Sequence, residues 1–262
     1  MIFCDYHVHT NFCDGRSTPE EIVLSAIEKG IPTLGFAAHS YLDFDQSYCI
    51  KREDVPKYKA AVSEVKERYG DRIRILCGVE QDLFSSDPAD GFDYIIGSVH
   101  HFKGPDRYYS VDHTADELRA AAENICGGDM YALAEIYYSD VAKVVDQTNA
   151  DIIGHFDLIS KFNKDNAVFD ESHPRYVAAW KKAADSLLKT GKPFEVNCGA
   201  ISRGYRDTPY PARPILSYLC ENGARVILTG DSHHKDTLCY QFDRWYPYLL
   251  DIGFDADRII TL

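Results

Sequence analysis

The sequence predicts an α/β fold built on a parallel sheet, with residues 1–262 forming a single domain. Seven short apolar runs alternate with stretches of helical periodicity, the pattern of repeated βαβ units. No linker or low-complexity stretch breaks that alternation. Six of the seven runs end in, or are followed at once by, His, Glu or Asp; the sixth run is followed by Asn197. Closed into a barrel, the strands would gather these tips on one rim, where barrel enzymes place their chemistry.

The first run, Met1 to Cys4, leads into Asp5-Tyr6-His7-Val8-His9-Thr10. Side chains alternate along a strand, so His7 and His9 point the same way. Taken alone, the pair fits a packed structural role as well as half of a metal site. Thr18-Pro19-Glu20-Glu21 reads as a helix start, with Thr18 at the N-cap and Glu21 three residues on; Ile22, Ala26 and Ile27 share a face, and Gly30 ends the helix. Thr33–Ala38 is a strand reaching His39. Apolar residues at 55, 58, 62, 65 and 69 keep helical spacing up to Gly70. Strands follow over Ile73–Val79, before Glu80, and over Phe92–Val99, before His100. Leu118–Cys126 and Met130–Thr148 read as two helices, and Asp151–Gly154 as a strand ending at His155. A helix over Tyr176–Thr190 precedes the strand Phe194–Val196, and a helix over Ile215–Glu221 precedes the strand Arg225–Thr229. After Gly230-Asp231-Ser232-His233-His234 come a helix near Gln241–Leu250 and a run at Arg258–Thr261.

Hydrophobic residues at 45% and charged residues at 26% match an ordinary globular protein with a sizeable core. No apolar stretch is long enough to span a bilayer, and Met1 leads straight into a strand-like run holding Asp5, so a cytoplasmic location is expected. The eight cysteines contain no C-x-x-C pair, and Cys4, Cys77 and Cys220 fall in apolar runs, so neither a disulfide framework nor a zinc ribbon is expected. Cys13 and Cys198 lie near the strand tips and are weak candidates for ligand or nucleophile. A net charge of −13 argues against binding long nucleic acid, which needs a basic stripe. An anionic small molecule stays compatible, because local cations or metal ions can reverse the field in a cleft.

The candidate ligands are His7, His9, Asp14, His39, Glu80, His100, His155, Asp231 and His233. Imidazole mixed with carboxylate suits zinc, manganese or iron and not calcium. Nine ligands exceed what one ion takes, so two or three divalent ions are expected, with Glu80 on a central strand as the bridge. Such a centre is a hydrolytic device: it supplies hydroxide at neutral pH and clamps the oxygens of a phosphoryl displacement.

The motifs His7-Val8-His9-Thr10 with Asp14-Gly15, His39-Ser40, Gly78-Val79-Glu80, Gly97-Ser98-Val99-His100-His101, Gly154-His155-Phe156-Asp157-Leu158, Glu195-Val196-Asn197 and Gly230-Asp231-Ser232-His233 follow in order along almost the whole chain. In that order the chain resembles the polymerase-and-histidinol-phosphatase (PHP) superfamily, and within it the histidinol-phosphate phosphatases. The resemblance implies a distorted (β/α)7 barrel. It implies a first metal on His7, His9, Glu80 and Asp231, a second on Glu80, His100 and His155, and a third on Asp14, His39 and His233. Many relatives carry histidine where this chain has Asp14, so the third site departs from the pattern.

The resemblance also implies basic residues near strand tips that bind phosphate, here Lys161 and Arg203, with Ser202 as a further donor; Arg206 and Arg213 have weaker claims. Glu80, Asp231 and His234 are the expected catalytic groups, Asp231 or His234 passing a proton to the leaving alkoxide. The activity implied is hydrolysis of L-histidinol phosphate, a step of histidine biosynthesis. The alternatives are a phosphoesterase acting on nucleotides or other small phosphate esters and, from another class, a non-catalytic metal-stabilised binding module. Asp43 and Asp45 are candidates to meet a substrate ammonium. His101 is expected to face away from His100 if the strand persists, and His113 and His173 read as loop residues. The sequence carries no signal for an oligomeric state.

Overall fold

The computed structural model describes residues 3–262, so the Met1 and Ile2 part of the first predicted run lies outside the described residues. In chain order the elements are β1 (Asp5–Val8), α1 (Pro19–Glu28), β2 (Thr33–His39), α2 (Val55–Tyr69), β3 (Arg74–Asp82), β4 (Tyr94–Ser98), β5 (His101–Lys103), β6 (Tyr108–Ser110), α3 (Ala115–Cys126), α4 (Met130–Val141), α5 (Val144–Thr148), β7 (Ile152–Ile153), α6 (Pro174–Leu188), β8 (Phe194–Asn197), α7 (Gly199–Ser202), α8 (Arg213–Glu221), β9 (Val226–Thr229) and α9 (Phe242–Ile252). Seven strands form one sheet in the order β1-β2-β3-β4-β7-β8-β9, every neighbouring pair parallel. Val8 bridges Ser232 in parallel: His9 N–H donates to the Ser232 carbonyl and Ser232 N–H to the His7 carbonyl, each at 2.9 Å. The sheet is thereby nearly closed into the seven-stranded α/β barrel that the sequence predicts.

Local chemistry explains the elements. Thr18 caps α1 reciprocally: its hydroxyl accepts from Glu21 N–H at 3.3 Å, and the Glu21 carboxylate accepts from Thr18 N–H at 2.8 Å. Ile22, Val23 and Ala26 are buried on the inner stripe of that helix. The predicted helix 130–148 is instead two, turning at Ala142-Lys143. The turn lays α5 against β4, where a side chain at Gly97 would meet Ala150, Thr148 and Val144 at 2.7–3.2 Å. The run at Arg258–Thr261 makes a single bridge, Ile259 to Val226, and is not a strand.

Alternation sets up the site. Ala37 and His39, Leu76 and Glu80, and Ile96 and Ser98 occupy positions of the same parity and share a face of the sheet. The lower members pack with Tyr6, Tyr94, Ile152 and Ile227 into an apolar floor, on which the polar rim stands. Tyr94 anchors that floor by donating its hydroxyl proton to the carbonyls of Tyr6 and Phe36, at 2.5 and 2.9 Å. Asp5, fully buried, accepts from the N–H groups of Gly230 (2.8 Å) and Cys239 (2.9 Å), tying the foot of β1 to the chain beyond β9.

Candidate metal centre

Glu80, at 1% exposure, is the centre of the rim. One carboxylate oxygen, Oε2, lies 2.8 Å from His39 Nδ1, 3.2 Å from His7 Nε2 and 3.8 Å from His9 Nε2. The other, Oε1, lies 2.8 Å from His155 Nε2 and 3.2 Å from His100 Nε2, and accepts from Ser98 Oγ at 2.8 Å. The two oxygens thus face two different sets of imidazoles. His9 Nε2 is also 3.2 Å from Asp231 Oδ1, which follows β9.

Asp14 reaches the rim because the loop after β1 folds back on its own strand. Gly15 N–H donates to the Thr10 carbonyl at 3.0 Å, and a Cβ on Gly15 would sit 2.6 Å from the His9 backbone, so only glycine allows the approach. Asp14 then stands 3.1 Å from His233 Nε2 and 3.7 Å from both His39 and His9.

Among the described residues three compact ligand groups result: His9, Asp14, His39 and His233; His7, His9 and Glu80; and His39, Glu80 and His100. The third set expected from the sequence thereby gains His9. His155, which reaches Glu80 Oε1, and Asp231, which reaches His9 Nε2, stand outside these three groups, and His39 takes the place expected for His155 beside Glu80 and His100. Among the described residues, the buried atoms His7 Nε2, His9 Nε2 and Glu80 Oε2 lie close to one another and to His39 and Asp231 without an aligned hydrogen bond. Unpaired polar atoms at such depth are costly, and here they converge, as the donor atoms of a metal site do. The donor set fits divalent transition metals.

Charge follows the same geometry. Burial, with His233 and His39 beside it, pushes His9 down to about 3, so its ring is neutral and free to ligate. Against strong burial, Glu195, Glu80 and Asp231 raise His7 well above the usual imidazole range, and Glu80 and Asp82 do the same for His100. Burial alone would raise Glu80, yet His39, His7 and His100 hold it well below the ordinary carboxylate value. A metal ion can take the place of the protons held by these imidazoles.

Two orienting carboxylates escaped the sequence reading as functional residues. Glu195, fully buried on β8, lies 2.5 Å from His7 Nδ1 and accepts from Thr229 Oγ1 and His155 N–H, each at 2.7 Å. Asp82 accepts from His100 N–H at 3.0 Å and lies 2.9 Å from its Nδ1. Such partners fix ring orientation and raise ligand basicity. Asn197, the apparent exception among the strand tips, donates its amide to Asp231 at 3.3 Å.

Lys161, Arg203, Ser202 and His234 line the same cavity as the ligands, a space of about 1480 Å³. Lys161 Nζ is 2.9 Å from Asp112 Oδ2 and donates to the Asp112 carbonyl at 2.8 Å. Arg203 donates to Asp231 Oδ2 at 3.0 Å and lies 2.8 Å from His233 Nδ1. Ser202 Oγ donates to the Gly199 carbonyl at 2.9 Å. His234 Nδ1 accepts from Asp236 N–H at 3.3 Å. Arg206 bonds Ser160 and stacks over Tyr210, and Arg213 pairs with Asp251; neither lines the cavity. Asp45 and His113 line it, whereas Asp43 pairs outward with Arg52 at 3.5 Å. His173 caps α6 and stacks on Tyr131. β4 ends at Ser98, so His101 does not continue that strand but opens β5. Cys13 Sγ lies 3.6 Å from His9 Nδ1, but burial and Asp14 push its thiol up to about 12; burial raises Cys198 still more clearly.

A family model of the PHP domain matches residues 5–199, about three quarters of the chain. The chain belongs to the PHP domain family. Among curated PHP-like relatives, a protein named "Probable histidinol-phosphatase" from Schizosaccharomyces pombe is 26% identical over 92% of this chain and 84% of its own length. One of the same name from Deinococcus radiodurans is 25% identical, covering 95% of this chain and 94% of that protein. The PHP domain described here also superposes on the histidinol phosphate phosphatase of Lactococcus lactis, solved with zinc, L-histidinol and phosphate. The TM-score is 0.71 at 21% identity, over 97% of this chain and 94% of the other, a likeness of fold. No helix among the described residues is long and apolar enough to cross a membrane.

Proposed function

We propose that this PHP protein is a metal-dependent phosphomonoesterase that hydrolyses L-histidinol phosphate to L-histidinol and phosphate in the cytoplasm. The observation that carries the reading is Glu80, whose two oxygens face separate imidazole sets within a cavity that also holds Lys161 and Arg203. The names of the curated relatives, and the histidinol and phosphate bound by the Lactococcus protein, support the choice of ester.

Two or three divalent ions, zinc, manganese or iron, are the cofactors. His7, His9, Glu80 and Asp231 would hold the first, Glu80, His100 and His155 the second, and Asp14, His39 and His233 the third. When bound, such ions make water a nucleophile at neutral pH and neutralise phosphate charge. The chain's own residues do the rest. Glu195 and Asp82 hold His7 and His100 with Nε2 toward Glu80. Lys161, its ammonium fixed by Asp112, and the Arg203 fork receive the non-bridging phosphate oxygens, which Ser202 assists. His234 lines the cavity, its Nδ1 within 3.3 Å of the Asp236 N–H and 3.2 Å of the Asp236 carboxylate, and is the group that would protonate the leaving alkoxide. Asp231 is the other candidate for that transfer.

Phosphate release from L-histidinol phosphate, nucleoside monophosphates and a model phosphodiester, after chelation and metal reconstitution, tests the reading. The expected result is a clear preference for L-histidinol phosphate that depends on added metal. A preference for nucleotides would replace the substrate, and tight metal binding without turnover of any ester would make the protein a binding module.

A further inference from the structure

The cavity extends beyond the metal ligands to a wall built from the loop after β2 and the β5–β6 hairpin. Phe44 stacks face to face on Tyr108, ring centroids 3.6 Å apart and planes 6° apart, while remaining 36% exposed. An apolar ring held open at a polar cavity is a surface that a flat apolar group can cover. Beside it, His101 is only 3% exposed and presents its ring at right angles to Phe44, at 4.9 Å. Its Nδ1 is buried without a partner, and its Nε2 lies 3.5 Å from Asp45 Oδ2.

Asp45 differs from the other acidic residues of this end of the cavity. Asp112 is bound by Lys161 and Glu117 by Arg107 at 2.8 Å, while Asp106, exposed in the turn of the hairpin, accepts from the Tyr109 hydroxyl. Asp45 Oδ1 is held by the N–H and hydroxyl of Ser47, at 3.0 and 2.7 Å. Among the described residues no lysine or arginine pairs with Asp45. Its second oxygen is therefore oriented, adjacent to an aromatic wall, and without a cation.

We propose that Asp45 is a specificity-determining residue that receives the ammonium group of an amino-alkyl phosphate, with the Phe44–Tyr108 stack walling the flat ring of the same leaving alcohol. The assignment rests on the phosphatase reading above and names the part of the substrate that the metal centre does not touch. A carboxylate with one oxygen fixed by Ser47 and the other, 3.5 Å from His101 Nε2, without a lysine or arginine partner accepts a charge-assisted hydrogen bond that an ester lacking the amine cannot make.

The test compares kcat/KM for L-histidinol phosphate with that for its desamino analogue, 3-(imidazol-4-yl)propyl phosphate, in metal-loaded protein. The wild-type ratio should favour the amine at least tenfold. Asp45→Asn should bring it down at least tenfold, and Asp43→Asn, outside the cavity, should keep it. An unchanged ratio in Asp45→Asn, or a wild-type ratio near one, would overturn the assignment while leaving the phosphatase reading intact. Failure of the wild type to release phosphate from either ester would overturn that reading, and the assignment with it.

Discussion

Glu195→Gln removes a charge from a site without exposed surface and leaves the side-chain volume almost unchanged. The carboxylate serves three groups: His7 Nδ1 and Thr229 Oγ1 on one oxygen, and His155 N–H on the other. An amide has a single acceptor oxygen. With that oxygen toward His7, the amide NH2 abuts His155 N–H, donor against donor. Flipped, the NH2 faces His7 Nδ1 and forces the ring proton onto Nε2, the atom aimed at Glu80. The first arrangement leaves a buried donor unpaired, at about 1–3 kcal/mol. The second blocks a candidate metal ligand. Loss of such an outer partner typically weakens metal binding by roughly 10–100-fold. Competition against a chromophoric chelator, alongside thermal melts, should show zinc affinity falling within that range in a folded protein. Affinity within twofold of the parent would refute the orienting role of Glu195.

Glu80→Ala and His9→Ala should each abolish phosphate release while circular dichroism shows an intact barrel; near-normal turnover by metal-replete Glu80→Ala would remove the bridging role. Gly199→Ala would place a Cβ 2.5 Å from Asp231 Oδ2, so the carboxylate must move, and turnover should drop at least tenfold with little change in the fold. Although burial opposes it, Lys161 and then His100 hold Asp112 below the ordinary carboxylate value. A depressed folded pKa contributes stability that is present above the unfolded value, about 3.9, and is lost as pH falls through the folded one. Denaturant melts of Asp112→Asn should therefore show a deficit that is level from about pH 5 to 8 and shrinks in stronger acid.

Much of the barrel was legible because each strand is a short apolar run closed by a polar tip, and helix starts such as Thr18–Glu21 announce themselves within four residues. The convergence of the candidate ligands was legible for the same reason: a strand tip on a barrel rim has one place to go. What stayed hidden depends on partners distant in sequence. Glu195 stands in the Glu195-Val196-Asn197 motif, yet it has no assigned role until β8 closes beside β7 and the rim brings it to His7. Asp82 is two residues beyond Glu80 on a strand that runs farther than its apolar stretch suggests. The β5–β6 hairpin is three residues a side around Gly104–Arg107, too short and polar for periodicity to register. It nevertheless supplies Tyr108 to the cavity wall, and the loop just beyond it supplies Asp112. The turn at Ala142-Lys143 was hidden because Gly97, which it serves, lies on another strand.

The single parallel bridge between Val8 and Ser232 has a mechanical meaning. A sheet of seven strands is a strip, and among the described residues two backbone hydrogen bonds at that bridge make it a hoop. His7 and His9 stand on one side of the join, Asp231 and His233 on the other. An ion gripped by His9 and Asp231 would act as the buckle, and its binding energy would count toward holding the hoop shut. Below it, Asp5 makes a second, metal-independent stitch to Gly230 and Cys239. Demetallation would then loosen the rim while the foot stays fastened, so the strip parts first at the chemistry it was closed to perform.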